Sequence, residues 1–391
     1  MIRREMQDSL SIMGKGFPVI VITGPRQSGK TTLAKMTYPN HKYIDLENLI
    51  TRRIAQEDPA SLLPDQAGKY ILDEFQYAPQ ILSYIKQISD EQQIDAQFIL
   101  TGSNQFSMMK GVSQSLAGRA AIFELLPFDM DEAYPQTENV NEVIYKGFYP
   151  RLVTKDINPG IYYDSYLRTY LQRDVSLLVN IQNMDLFTKF LSLCAGRTGS
   201  ILNKVSLAND TGVDAKTVSN WLSVLQASYI IYLLKPWHGN VSKRLIKSPK
   251  LYFFDTGLAC RLLQIRSASD LVTHPLRGNL FETMIVSEAV KFYHNRGQMP
   301  PLTYYREPKG TEVDLIIEKA GMQYPIEIKS AAIINRSAYS NLDKFATLSS
   351  SSGKSYLVYS GEQSWTDQIY RNVSWKSLKS ELSELEDIST E

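Results

Sequence analysis

Residues 19 to 32, read as VIVITGPRQSGKTT, restrict the possible folds more than any other part of the chain. The β-branched run Val19, Ile20, Val21 and Ile22 has the composition of a buried strand, and it stops at Thr23-Gly24. Gly24, Gly29, Lys30 and Thr31 then fall on the spacing G-x-x-x-x-G-K-[ST], and Thr32-Leu33-Ala34-Lys35 reads on as a helix. Strand, glycine-bearing loop and helix N-terminus in this order make a cradle for phosphate. Glycines let backbone N–H groups turn inward, and the helix end adds partial positive charge. The loop Gly24, Pro25, Arg26, Gln27, Ser28, Gly29, Lys30, Thr31 and Thr32 is therefore predicted to hold a nucleoside triphosphate. Lys30 would reach the β- and γ-phosphates, and the Thr31 hydroxyl would ligate Mg²⁺. A plain glycine turn is the alternative, and the strand before it and the helix after it argue against that.

A phosphate loop of this kind needs acids from a neighbouring strand. Tyr43-Ile44-Asp45-Leu46 reads as a second strand, with a polar helix beginning near Arg52-Arg53-Ile54. Tyr70-Ile71-Leu72-Asp73-Glu74 is an apolar run ending in two acids. Asp73 would hold Mg²⁺ through water, and Glu74 would polarise the attacking water; adjacent residues at a strand's end point to different faces, which suits two separate tasks. Phe98 to Leu100 form a further buried strand ending in Thr101-Gly102-Ser103-Asn104. Thr101, Ser103 and Asn104 are each candidates to sense the γ-phosphate. Arg119 is the only arginine between this strand and Phe128. It reads either as a finger reaching a neighbouring subunit's γ-phosphate or as a surface arginine paired with an acid. Alternating strands and helices imply a three-layer α/β domain with a parallel sheet.

Here GPRQSGKTT, YILDEFQ, ILTGSNQF and SLAGRAAIFELLPF together resemble a large group of prokaryotic AAA-type ATPases. Their C-terminal half is a separate domain, usually described as of unknown function. Gly147-Phe148-Tyr149-Pro150 and Tyr170-Leu171-Gln172-Arg173-Asp174 resemble the linker segments of that group, so the likeness runs over most of the chain. It implies ATP as the nucleotide. Asn104 stands where the group more often carries serine.

The C-terminal two thirds divide into three expected parts: a lid or linker over 131–180, a winged helix-turn-helix over 181–265 and a nuclease-like domain over 266–391. Asp131 to Glu142 reads as a polar connector, and Gly160 to Leu178 as a tyrosine-rich helix with Tyr162, Tyr163, Tyr166 and Tyr170 on a core face. In NKVSLANDTGVDAKTVSNWLSVLQ, Ala208, Gly212 and Val218 match a helix-turn-helix. Ile230 to Leu234 and Leu251 to Phe254 would form the wing, and Lys216, Ser219 and Asn220 would face outward. Lys235, Lys243, Arg244, Lys247 and Lys250 carry basic charge with no acid between them, as phosphate contacts require. The competing use of such an element is packing between domains.

Arg277 opens an amphipathic helix through Phe292, followed by strands at Leu302–Arg306, Val313–Ile317 and Tyr324–Ile328, with a further strand at Tyr356–Tyr359. Glu327 and Lys329 lie two apart on one strand and share a face. Asp314 on the neighbouring strand and Glu282 on the helix would complete an oxygen-rich pocket. Asp314 and Glu327 are hard ligands for Mg²⁺, and Lys329 would stabilise charge on a cleaved phosphodiester. The order Glu282, Asp314, Glu327-x-Lys329 resembles the restriction-endonuclease-like fold. A solvated strand face, or a fold that only binds, is the competing reading.

The formal net charge of +1 gives no global pull toward nucleic acid or membrane. The two cysteines, Cys194 and Cys260, suit a reducing cytoplasm, and the longest apolar run, Tyr229 to Leu234, is too short to span a bilayer. The expected protein is a cytoplasmic, Mg²⁺-dependent ATPase directed to DNA and working as a homo-oligomer. The alternative is a nucleotide-dependent switch acting on a protein partner, with an inert nuclease-like domain.

Overall fold

The computed structural model describes residues 2–103, 112, 115–136, 139–170, 183–237, 248–307, 310–349 and 351–387. Asn104, residues 171–178 of the expected lid helix, the linker match at Leu171 to Asp174, and Lys243, Arg244 and Lys247 lie outside them. The chain forms two compact units. One comprises Met1–Phe128 with Ala227–Tyr229 and Tyr293–Met299; the other comprises Asp129–Gln226, Ile230–Phe292 and Pro300–Glu391.

The first unit is built on β1 (Val19–Thr23), β2 (Lys42–Asp45), β3 (Tyr70–Asp73), β4 (Phe98–Thr101) and β5 (Ala120–Glu124), in the order β2-β3-β4-β1-β5. All neighbours are parallel. Alternation along β1 decides the two faces of the sheet. Val19 and Val21 pack with Leu72, Leu100 and the helix Ile81–Gln92, whereas Ile20 and Ile22 pack with Leu33, Ala34, Met6 and Leu10. Each fully buried aliphatic side chain stabilises the fold by about 1.5–3 kcal/mol, so both faces of β1 are anchored. The helix Lys30–Thr37 and the N-terminal helix Met6–Met13 thus share one face. Register then fixes what meets at the carboxyl edge: Ile22 is paired with Thr101, Thr101 with Asp73, and Asp73 with Asp45. The helix after β2 begins at Leu49, earlier than its polar sequence suggests. Asn48 caps it by accepting from the N–H groups of Ile50 and Thr51.

The second unit carries one nine-stranded sheet. It contains β6 (Ser200–Ile201), β7 (Ile231–Pro236), β8 (Lys250–Phe253), β9 (Leu302–Arg306), β10 (Glu312–Lys319), β11 (Met322–Lys329), β12 (Ser355–Tyr359), β13 (Trp365–Thr366) and β14 (Tyr370–Ser374). Their order is β13-β14-β12-β11-β10-β9-β7-β8-β6. The expected wing strands and the expected nuclease-like strands are therefore continuous. They join where Lys235 and Pro236 pair in parallel with Thr303 and Tyr304.

Around β6 to β8 lie the helices Met184–Ala195, Lys204–Thr211 and Ala215–Ala227. Gly212, at φ +89°, makes the turn between the last two. Ala208 and Val218 are buried, and Trp221 meets Phe187 and Phe190 edge-on with ring centroids 5.2 Å apart. Lys216 and Asn220 are exposed, while Ser219 is half-buried. The polar connector is partly helical, with the helices Met130–Ala133 and Val140–Lys146, the first closed by a capping box between Asp129 and Glu132. Tyr162, Tyr163 and Tyr166, on the helix Pro159–Tyr170, are buried. Tyr163 donates to Asp255 at 2.6 Å, and the same buried carboxylate accepts from the N–H groups of Phe148 and Leu258.

Candidate functional site

The phosphate loop leaves β1 through a conformation that excludes any side chain. Gly24 has φ +142°, and a Cβ there would lie 2.1 Å from the Leu125 carbonyl oxygen. Gly29, at φ +96°, hands the loop to the helix Lys30–Thr37. Lys30 is buried and donates to the carbonyls of Gly24 (3.1 Å) and Pro25 (2.8 Å), so its ammonium lies against the loop it would share with phosphate. The loop is braced from outside its motif by buried Arg4, which donates to the carbonyls of Ser28 and Leu126 at 2.8 Å each. Thr32 is exposed and Arg26 half-buried.

Asp73 is the convergence point of the carboxyl edge. Thr31 Oγ1 lies 2.9 Å from each of its carboxylate oxygens, Tyr43 donates to it at 2.8 Å, and Thr101 donates from the adjacent strand. Tyr43 and Thr101 stand on β2 and β4, either side of β3, so parallel register delivers both to the same carboxylate. Thr101 is thereby engaged beneath Asp73. Ser103 lies 3.4 Å from Gln76, which also donates to Glu74. Glu74 follows in the left-handed region at φ +55°. Burial raises its pKa above the ordinary carboxylate range, against the charges of Lys30 and Arg26 and the Gln76 hydrogen bond.

These residues fit a magnesium nucleotide. Thr31 and Asp73 are hard oxygen donors side by side, and Ser28 Oγ is buried in the loop with no hydrogen-bond partner among the described residues. Arg119 is placed elsewhere. It precedes Ala120, which pairs with Val19 at the start of β1, and it binds Asp90 through two nitrogens. That is the opposite end of the sheet from the loop, roughly 16 Å away along a five-residue strand.

A second cluster forms in the other unit. Glu282 comes from the helix Arg277–Asn295, Asp314 from β10, and Glu327 and Lys329 from β11. Asp314 Oδ2 accepts from the N–H of Ile328 at 2.9 Å, and Lys329 donates to Glu327 at 2.5 Å. The structure thus brings all four expected residues together.

It also adds three that the sequence reading missed as site residues: Lys250, Tyr252 and Glu312. Lys250 Nζ is 2.9 Å from Glu282, 2.5 Å from Glu312 and 3.4 Å from Asp314, with its side chain 1% exposed. Tyr252 donates to Glu282 at 2.6 Å, and Arg306 reaches Glu312 at 2.7 Å. Burial alone would lower the Lys250 pKa, but Glu282, Asp314 and Glu312 together hold it above an ordinary lysine. Burial and the charge of Asp314 push Glu282 up to about 7 and Glu327 up to about 8.

Lys250 was expected on a basic wing, available to phosphate; it is instead a buried counter-ion. The signal was present in the spacing. Lys250 and Tyr252 are two apart on one strand, as are Glu312 and Asp314 on another, so each pair shares a face. Asp314 and Glu327 were expected as Mg²⁺ ligands. The donors around Asp314 do not fit a divalent ion while Lys250 stands among them, since Asp314 accepts from Ile328 and Lys250. Glu327 accepts from Lys329 through one oxygen, and its other oxygen is buried without a partner among the described residues. Among the described residues no group of three or more His, Cys, Asp or Glu is arranged to hold a metal, and no helix is long and apolar enough to cross a membrane.

Comparison with known proteins matches three segments of the chain. Residues 16–134 match an AAA domain, and 137–269 and 277–378 each match a domain of unknown function, DUF8612 and DUF4143. Two mycobacterial proteins, the uncharacterized proteins Mb2031c of Mycobacterium bovis and Rv2008c of Mycobacterium tuberculosis, are each 30% identical over 333 residues. That alignment spans 83% of this chain and 74% of theirs. Among solved structures, the Walker-type ATPase PABY2304 of Pyrococcus abyssi is similar with a TM-score of 0.44 and 15% identity, over 66% of this chain and 94% of that one. The chain belongs to the same family as the two mycobacterial proteins, and its N-terminal segment is an AAA-type P-loop ATPase domain joined to a C-terminal DUF4143 domain.

Proposed function

We propose that the protein hydrolyses ATP with Mg²⁺ in the cytoplasm, as a homo-oligomer, and transmits its nucleotide state to a nuclease-like C-terminal module directed to DNA. The observation that carries the ATPase part is the meeting of Thr31 and Asp73 directly beside the phosphate loop. Lys30 would bind the β- and γ-phosphates, Thr31 and Asp73 would hold the metal, and Glu74 would orient water. The separate partners of the two acids support this separation of roles: Asp73 accepts from Thr31, Tyr43 and Thr101, and Glu74 from Gln76. In an oligomer Arg119 would need release from Asp90 to serve a neighbour's phosphate.

The DNA part is supported by the order of elements around β6 to β8 (helix, strand, two helices, two strands), read here as a winged helix, with Lys216 and Asn220 exposed on the last of the helices. The grouping of Glu282, Asp314, Glu327 and Lys329 supports the nuclease-like reading of the module after it. Hydrolysis of ATP by wild type and by K30A and E74Q tests the first part; retained turnover in K30A would remove it. Duplex and structured DNA binding measured across a salt series tests the second, and binding indifferent to salt or absent on every substrate would remove it.

One observation favours a second reading. With Lys250 seated among the acids, a cation of the protein stands where a cleavage ion would be needed, as expected of a nucleotide switch that acts on a protein partner.

A further inference from the structure

We propose that Lys250 is the resident cation of the DUF4143 pocket and keeps divalent ions out of it. Its ammonium lies within 3.4 Å of three carboxylates contributed by a helix and by one face of β10. An ammonium at these distances supplies the positive charge that a divalent ion would otherwise bring, and two cations cannot share the same oxygens without strong repulsion at low dielectric.

The placement is enforced rather than chosen by a mobile side chain. Lys250 opens β8, whose neighbours on either side, β7 and β6, pair with it at Leu234 and Ile201. The stem is sealed at 1% exposure, and the ring of Tyr304 lies 5.6 Å from the ammonium. Tyr252, two residues on, binds the same Glu282 oxygen and holds that carboxylate toward the lysine. Glu312 is also paired with Arg306, and Glu327 with Lys329 through one oxygen, its other oxygen being buried without a hydrogen-bond partner among the described residues. The inference rests on reading these acids as a nuclease-like pocket, but not on DNA being its target.

The test is where a divalent ion sits on the nucleotide-free, full-length protein. Mn²⁺ binding is followed by calorimetry, and Fe²⁺-directed hydroxyl-radical cleavage of the backbone locates the ion. Wild type is expected to show no cleavage over 312–329 at ion concentrations up to about 1 mM, a range that would report even weak binding. K250Q is expected to bind Mn²⁺ at least roughly tenfold more tightly, to be cleaved over 312–329, and to gain thermal stability from the ion. K250Q/D314N is expected to lose all three effects, and K250R to behave as wild type. Wild type cleaved over 312–329, with the cleavage abolished by D314N, would overturn the proposal. So would K250Q binding no more tightly than wild type. The wild-type arm decides even where a variant fails to fold. Failure of the DNA reading would instead appear in the salt series, with the ion results unchanged.

Discussion

Thr31 Oγ1 lies 2.9 Å from both carboxylate oxygens of Asp73, which sets the second residue of the loop helix directly against the residue ending β3. The geometry of these two donors is set by strand register. T31A is expected to lower ATP turnover by at least roughly 100-fold, the range seen when one preorganised group at a developing charge is removed. D73N should do the same. Steady-state phosphate release measures both, and nucleotide binding without Mg²⁺ should survive in each.

Gly24 gives a stability prediction for the loop itself. G24A would place a methyl group against the Leu125 carbonyl in a backbone region that side chains rarely adopt. A loss of about 1–3 kcal/mol is expected from overpacking, with strain adding a similar amount, and nucleotide binding should fall with it. Chemical denaturation and a nucleotide titration on the same preparation check this.

His294 makes stability depend on pH. Burial depresses its pKa to about 4 from 6.5, with Nδ1 3.4 Å from Glu124. The ring is therefore neutral at pH 7, and the contact is not an ion pair. A pKa lowered by folding contributes stability that is complete above the unfolded value and lost as pH falls toward the folded one. Between pH 6.5 and 4 this histidine should remove up to about 3 kcal/mol. Burial raises the nearby Glu124, which acts in the opposite sense, so the difference between wild type and H294F isolates the histidine. Denaturation midpoints at several pH values should diverge between the two on the acid side.

Trp221 closes the helical cluster of the second unit against Phe187 and Phe190. W221A should destabilise that unit by about 3–5 kcal/mol, the usual cost of emptying a large aromatic site. Tryptophan-independent circular dichroism on heating measures the effect.

The sequence discloses those parts of the site that depend on local chemistry. Glycines at fixed spacing, an apolar run stopping at two acids, and a Glu-x-Lys pair are legible because a single strand or loop carries each signal. What depends on neighbours is not legible in that way. Tyr43 and Thr101 reach Asp73 only because β2 and β4 flank β3 in matching register, a fact that no window of residues encodes. Lys250 has the same character: its charge reads as exposed and basic along its own segment, and only pairing across 64 positions shows it facing Asp314. The fusion of two expected sheets into one rests on two residue pairs between β7 and β9, too short a contact to leave a pattern.

The ATPase core closes on itself with pieces of chain borrowed from far downstream. Asn295 accepts from Ser9 at 2.8 Å, Arg296 pairs with Glu5 at 2.8 Å, and Tyr229 stands 3.5 Å from Thr23 at the root of the phosphate loop. A recombinant fragment trimmed to the first 134 residues would omit all three of these partners. Such a truncate should be a poor stand-in for the intact enzyme, and assays of nucleotide turnover belong on the full-length polypeptide.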